Sequence, residues 1–360
     1  MTSNSIVNKY QIGGGKTRNS SFELLRLVAM LLIVTHHFLV FNVRVCGYFE
    51  QYSIEKDGVL GIFLNSMAII GVNLFVMISG WFGIKKVWSQ MIRLIFDCSL
   101  YVALSTIIAC LFFGHQIVLD DIKHIVDTRH YWFIWCYFFL VLISPVLEKA
   151  ISGVNTRQMT YWIVLLTVAN LGLGYVLGMT NYNGYNATNF IYIYFLARWL
   201  RMLQDNKWFR VFSRYGLLIW VGAAAVLAIG YVVVTGIVPF EPSHGTRYFA
   251  YNNPLVLLET VAVVSWFSRL KLQSAAINIV ATGALGIYLL HGDIVMAPYR
   301  GAFVKGLWNG FGYPGLFLAI VCVYGGCLLL SIAVEWMKGH VGIVRRVYAI
   351  GQYVEERTKQ

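Results

Sequence analysis

The sequence predicts an all-α integral membrane protein with about ten transmembrane helices and both termini cytoplasmic. Three observations predict it. Of 360 residues, 58% are hydrophobic and only 12% are charged, with a mean hydropathy of +0.66. No soluble globular domain has that balance, whereas a bilayer expels charge and demands that every backbone polar group be paired within a helix. Apolar runs long enough to cross a hydrocarbon core recur along the whole chain. Between them the basic residues alternate in density: 21 of the 28 Lys and Arg fall on one side, the bias expected of a cytoplasmic face. The formal net charge of +12 is therefore a rim facing anionic lipid head groups and is not a nucleic-acid surface.

Taken in order, residues 1–20 form a polar tail with Lys9, Lys16 and Arg18 and lack the apolar core of a secretory signal. The string GGGKT at 13–17 is no P-loop, because Tyr10 stands where the first glycine must be. Spans are predicted over 22–41, 58–82, 91–113, 131–148, 158–178, 188–203, 215–238, 252–269, 275–295 and 313–336. They form one membrane domain over 21–336, followed by a cytoplasmic tail over 337–360. Trp and Tyr suit the interfaces. The six cysteines show neither CxxC nor ligand spacing, which implies no metal and no disulfide framework. Nothing in the sequence sets an oligomeric state.

The first span, FELLRLVAMLLIVTHHFLVF, carries two ionisable groups in line. Arg26 and His37 are eleven residues apart, which is three turns plus about 20° at 3.6 residues per turn. They share a face, about 16 Å apart along the axis, or half of a ~30 Å core. An arginine there can snorkel to head groups, and a histidine can bond a neighbouring helix. Glu23, one turn before Arg26, is placed to orient it, and His36 adds a second imidazole off the line. A basic group near one rim and a proton-transfer group near mid-depth fit a site that handles a long anionic molecule inside the membrane.

Further candidates are spread along the chain. His291 ends the ninth span and is followed by Asp293; Glu259 is an acid inside the eighth. Intramembrane acids are costly and are functional or paired. Asn73 in the second span serves either helix contact or a cavity. His130 and Trp132 open the fourth span, where an indole anchors at the interface or stacks on a sugar. The loop NYNGYNATN at 181–189 suits either turns or carbohydrate. Lys85, Lys86 and Arg93 join Arg26 at the inner face as groups that could meet phosphates.

The segment FELLRLVAMLLIVTHH resembles the first helix of the membrane-bound acyltransferase family three. That helix carries an arginine and a histidine with ten residues between, and an acid three before the arginine. GVNLFVMISGWF at 71–82, HYWFIW at 130–135 and GIYLLH at 286–291 resemble later elements of the same family, and the likeness runs over roughly residues 20–335. An Arg-x-Arg pair that many members carry after the second helix is replaced here by KKVWSQMIR. The resemblance implies an O-acyltransferase of the bacterial plasma membrane, moving acetyl or a similar short acyl group from cytoplasmic acyl-CoA to a hydroxyl of a cell-surface glycan or its lipid-linked precursor. Acyl-CoA is then a co-substrate, and no bound cofactor is implied. His37 is the expected general base or acyl relay, Arg26 binds donor phosphate, Glu23 holds Arg26, and His291 and Glu259 stand nearer the acceptor, with Asn73, His130 and Trp132 as acceptor contacts. A secondary transporter of a glycan or lipid-linked sugar has the same architecture. It calls for internal repeats and broken helices, and no clear repeat is visible.

Overall fold

The computed structural model describes residues 18–44, 54–180, 182–237 and 246–358. The tail expected over 1–20, with its GGGKT string, lies outside them up to residue 17. Among the described residues all regular structure is helical. The elements are α1 (Ser20–His37), running on as a π-helix over Phe38–Val43, α2 (Ile54–Ala68), α3 (Gly71–Phe82), α4 (Val87–Phe113), α5 (Leu119–Val126), α6 (Trp132–Ile151) and α7 (Thr156–Thr167), running on as a second π-helix over Val168–Val176. There follow α8 (Ala187–Met202), α9 (Lys207–Arg214), α10 (Gly216–Ile237), α11 (Pro254–Arg269), α12 (Ala275–Val280), α13 (Ala284–His291), α14 (Ala297–Phe311), α15 (Tyr313–Lys338) and α16 (Gly342–Arg357).

Among the described residues, seven helical segments are long and apolar enough to cross a membrane: Ser20–Val43, Gly58–Phe82, Val87–Phe113, Trp132–Ile151, Thr156–Val176, Gly216–Ile237 and Tyr313–Lys338. The other three predicted spans fall on shorter helices. α8 and α11 have 16 residues each, about 24 Å at 1.5 Å per residue and short of a ~30 Å core. The span predicted over 275–295 is α12 and α13 joined by a 3-10 turn at Ala281–Gly283, and it stops at His291. The span predicted over 58–82 is likewise broken between Ala68 and Gly71. Four α-helices fall outside the predicted spans: α5, α9 and α14, where loops are expected, and α16 in the expected tail.

α1 sits at the centre. Its N-terminus is capped by Asn19, whose side chain accepts from the Ser21 amide at 3.1 Å, and Ser21 Oγ donates to Leu270 O at 2.6 Å. Along its length it packs on α2, α3, α11, α12, α13 and α15. The approach to α3 requires Gly71, because a Cβ there would lie 2.7 Å from Ile33 Cγ1 and 2.9 Å from Ala29 O. Gly286 does the same for α13, where a Cβ would collide with Ser331 Oγ and Tyr101.

A buried ionic cluster ties α4, α15 and α16 together. Lys338 Nζ donates to Asp97 Oδ1 at 2.7 Å, with side chains 5% and 1% exposed, and it also pairs with Glu335. Tyr348 OH donates to Asp97 Oδ1 at 3.1 Å, and Arg93 reaches Asp97 at 3.5 Å and Glu335 at 3.2 Å. Glu355 accepts from the Trp88 amide at 2.9 Å and holds the far end of α16 on α4. Removing one member of a buried pair strands the other charge. Asp97→Ala is expected to destabilise the protein by about 3–5 kcal/mol and to speed amide exchange in α16, read by thermal unfolding and hydrogen exchange in detergent.

Candidate active site

Helical geometry turns the Arg26–His37 face away from lipid. Leu31 is the exposed large side chain of α1, at 38%, and it lies roughly 120–140° round the helix from that face. Both Arg26 and His37 are nevertheless only partly buried. His37 is the last α-helical residue before the π-helix, a change of winding that recurs at functional sites. It stands roughly 26 Å along the axis from Ser20, nearer the far end than the mid-depth position expected from sequence.

The two ends of this face differ. At the Arg26 end, Glu23 Oε1 accepts from Arg26 Nη1 at 2.6 Å, the i, i+3 pairing expected, and the Arg26 side chain stays 34% exposed. Phe22 packs on Trp81 and Phe82, with ring centroids 5.3 and 4.9 Å away. That contact brings the end of α3, and with it exposed Lys85 and Lys86, to the same end of the bundle. Arg93 differs from the expectation: its charge is already matched by Asp97 and Glu335. Between the ends, Met30 and Ile33 fill the shared face at 1% and 3% exposure.

At the far end, the structure joins two residues that the sequence left apart. His37 Nδ1 lies 3.0 Å from His291 Nε2, and the rings are 5.0 Å centroid to centroid. His291 Nδ1 lies 2.7 Å from Ile287 O. A carbonyl only accepts, so His291 carries its proton on Nδ1 and presents a lone pair at Nε2. His37 must then donate from Nδ1, which leaves His37 Nε2 as a free lone pair. These protons are assigned from the hydrogen-bond pattern of two neutral rings. In this arrangement His291 orients His37 and leaves His37 Nε2 without a protein partner among the described residues. His36, beside it, points elsewhere, with Nδ1 2.7 Å from Asn65 Oδ1.

His291 is itself held from behind. Asp293 accepts from the amides of Val295 and Met296 at 2.9 and 3.0 Å and from Tyr131 OH at 3.3 Å. Tyr131 OH also reaches Leu289 O at 2.7 Å. Arg300, in the first turn of α14, donates to the His291 carbonyl. Neither Tyr131 nor Arg300 is singled out by the sequence. A basic residue nine past His291 is the one signal that could have pointed to Arg300.

The remaining candidates divide. Asn73 Nδ2 donates to Tyr251 O at 2.8 Å, which accounts for it as a helix-to-loop tie. Trp132 joins an aromatic cluster with Tyr185, of the amide-rich loop, and Tyr251, at centroid distances of 4.9 and 5.7 Å. His130 packs on Tyr131 at 4.0 Å and faces His124 at 5.5 Å. The loop before it is clamped by Arg129, whose two bonds to Asp127, at 2.7 and 2.5 Å, pull that carboxyl down to about 2. Glu259 is fully buried against α10, where Trp220 is its polar neighbour, and it touches neither histidine of the pair. Among the described residues no group of three His, Cys, Asp or Glu is arranged to hold a metal.

A family model described as an acyltransferase domain matches residues 19–336. No curated protein and no solved structure matches the chain. The proton assignment has a direct check. In histidine-labelled protein, 15N NMR is expected to show His37 and His291 both as Nδ1–H tautomers, and His291→Ala is expected to move His37 toward the Nε2–H form that an unpartnered imidazole prefers.

Proposed function

We propose that this chain, which belongs to the acyltransferase 3 family and is an integral membrane acyltransferase, moves acetyl or a similar short acyl group from cytoplasmic acyl-CoA to a hydroxyl of a cell-surface glycan or its lipid-linked precursor. The observation that carries this reading is the His37–His291 contact at 3.0 Å, which leaves one imidazole nitrogen free as a base inside the bundle. The charge bias makes the Arg26 end cytoplasmic. There Arg26, steadied by Glu23, meets the donor's phosphates together with Lys85 and Lys86. The uncharged pantetheine arm then runs along α1, past Met30 and Ile33, which must yield to it. Its thioester reaches His37 about 16 Å away.

In the transfer, His37 Nε2 takes the proton of the acceptor hydroxyl as its oxygen attacks the thioester carbon. The imidazolium so formed donates through Nδ1 to His291, which steadies it. The C–S bond breaks as the carbonyl re-forms, and the CoA thiolate recovers the proton from His37. A transient acyl group on the same nitrogen would use the same geometry and would be caught as a mass shift on His37 after donor is mixed in without acceptor. Membership of an acyltransferase family sets the transporter alternative aside.

The acceptor end is aromatic and polar. Trp132 and Tyr185, backed by the buried Tyr251, offer aromatic faces of the kind sugars meet, and Tyr185 is 39% exposed. Beyond the Tyr251–Asn253 segment lies a cleft of about 450 Å³ between Tyr175, Leu227, Arg247 and Tyr248. It combines apolar side chains with an exposed arginine, a layout that suits the lipid of a lipid-linked glycan. The bacterial plasma membrane is the setting this acceptor requires.

His37→Ala is expected to cut transfer by about 10²–10⁴-fold. Surface glycans from wild-type, His37→Ala and deletion strains, compared by NMR, test it. O-acyl signals lost in both altered strains support the assignment. Signals lost on deletion but kept in an expressed His37→Ala strain remove His37 as the catalyst, and signals unchanged even on deletion remove the glycan acceptor. Trp132→Ala is expected to raise the acceptor KM several-fold with little change in kcat, since one stacking contact binds ground and transition states alike.

A further inference from the structure

Arg300 stands beside the His37–His291 pair and, among the described residues, makes no direct ion pair. α14 packs its first turns on the π-helix that follows His37, and a Cβ on neighbouring Gly301 would lie 3.3 Å from Asn42 Nδ2. Arg300 Nη1 donates to the backbone carbonyl of His291, the partner of His37. Its charge is close enough to act on both imidazoles. The nearest acid, Asp293, has its oxygens taken by the Val295 and Met296 amides and by Tyr131. Among the described residues no carboxylate forms an ion pair with Arg300. One carbonyl uses one of its five N–H groups, and no other protein acceptor holds the fork among the described residues. A half-buried, unpaired guanidinium inside an apolar bundle is costly unless a negative charge comes to meet it.

We infer that Arg300 binds the oxyanion of the tetrahedral intermediate. This rests on the thioester chemistry proposed above. When the acceptor oxygen bonds to the thioester carbon, the carbonyl electrons move onto oxygen and the hydroxyl proton moves to His37 Nε2. Two positive charges, imidazolium and guanidinium, then face each other, and the oxyanion between them turns repulsion into attraction. Collapse returns those electrons to the carbonyl, expels the CoA thiolate, and hands it the proton from His37. The guanidinium is complementary to the charged intermediate and not to the neutral thioester, so its contribution falls on kcat.

The test uses membranes carrying the full-length chain, labelled acetyl-CoA, and transfer to the endogenous glycan at varied donor concentration. Arg300→Gln retains an amide N–H for the His291 carbonyl and removes the charge; Arg300→Lys keeps a charge without the fork. Arg300→Gln is expected to lower kcat by about 10²–10³-fold with the KM for acetyl-CoA within about two-fold, and Arg300→Lys to recover part of the loss. Thermal unfolding of both variants matching wild type confirms that the loss is chemical. A raised KM at unchanged kcat makes Arg300 a ground-state anion contact and overturns the inference, as does full activity of Arg300→Gln. If His37→Ala keeps its activity in the same assay, the underlying thioester reading fails instead.

Discussion

The hydrogen bond between His37 and His291 is the constraint on which the rest of the structure turns. It joins residues 254 positions apart in the chain and exists only if two helices come unusually close to their neighbours. Gly71 admits α3 to the side of α1, and Gly286 admits α13 to α4 and α15. Neither position tolerates a Cβ without displacing a backbone or a buried hydroxyl. The small residues of these helices therefore act at one remove on chemistry they never touch. They set the distance at which one imidazole can fix the tautomer of another.

The helical segments were legible because hydrocarbon imposes one simple rule, a long apolar run, and each predicted run coincides with helix. What the rule does not report is continuity. The interruptions at Ala68–Gly71 and Ala281–Gly283 lie within largely apolar sequence, where hydropathy does not mark them. α5, α9, α14 and α16 are not legible as spans because they are short or of mixed polarity. The same division holds in the site. The Glu23–Arg26 pair was legible because i, i+3 spacing makes neighbours on any helix. The partners of Arg93 and of His37 come from elements far along the chain, where spacing is silent. Arg93 consequently reads as a free cation in sequence and as a paired one in the fold. Glu259, an acid that spacing could not place, turns to α10 and away from the histidines.

Charge is divided between the two ends with some economy. At the end near Arg26, Arg26, Lys85 and Lys86 stay partly or fully exposed, as suits phosphate contacts, whereas Arg93 and Lys338 are committed to Asp97 and Glu335. The opposite end keeps few, and the buried ones are fixed to backbone. Aromatic rings, amides and a histidine pair make up the remainder there. Such a surface recognises hydroxyl groups and ring faces better than it recognises ions. One bundle thus presents surfaces of unlike chemistry at its two ends.

Met30 and Ile33 have a consequence beyond positioning. An aqueous passage lined by ionisable groups from one rim to beyond mid-membrane would let protons slip down their gradient, and a cell cannot carry an enzyme that discharges its energy store. Two packed hydrocarbon side chains, both nearly inaccessible, break the water file between guanidinium and imidazole. The resting protein is in this sense insulated along this face of α1.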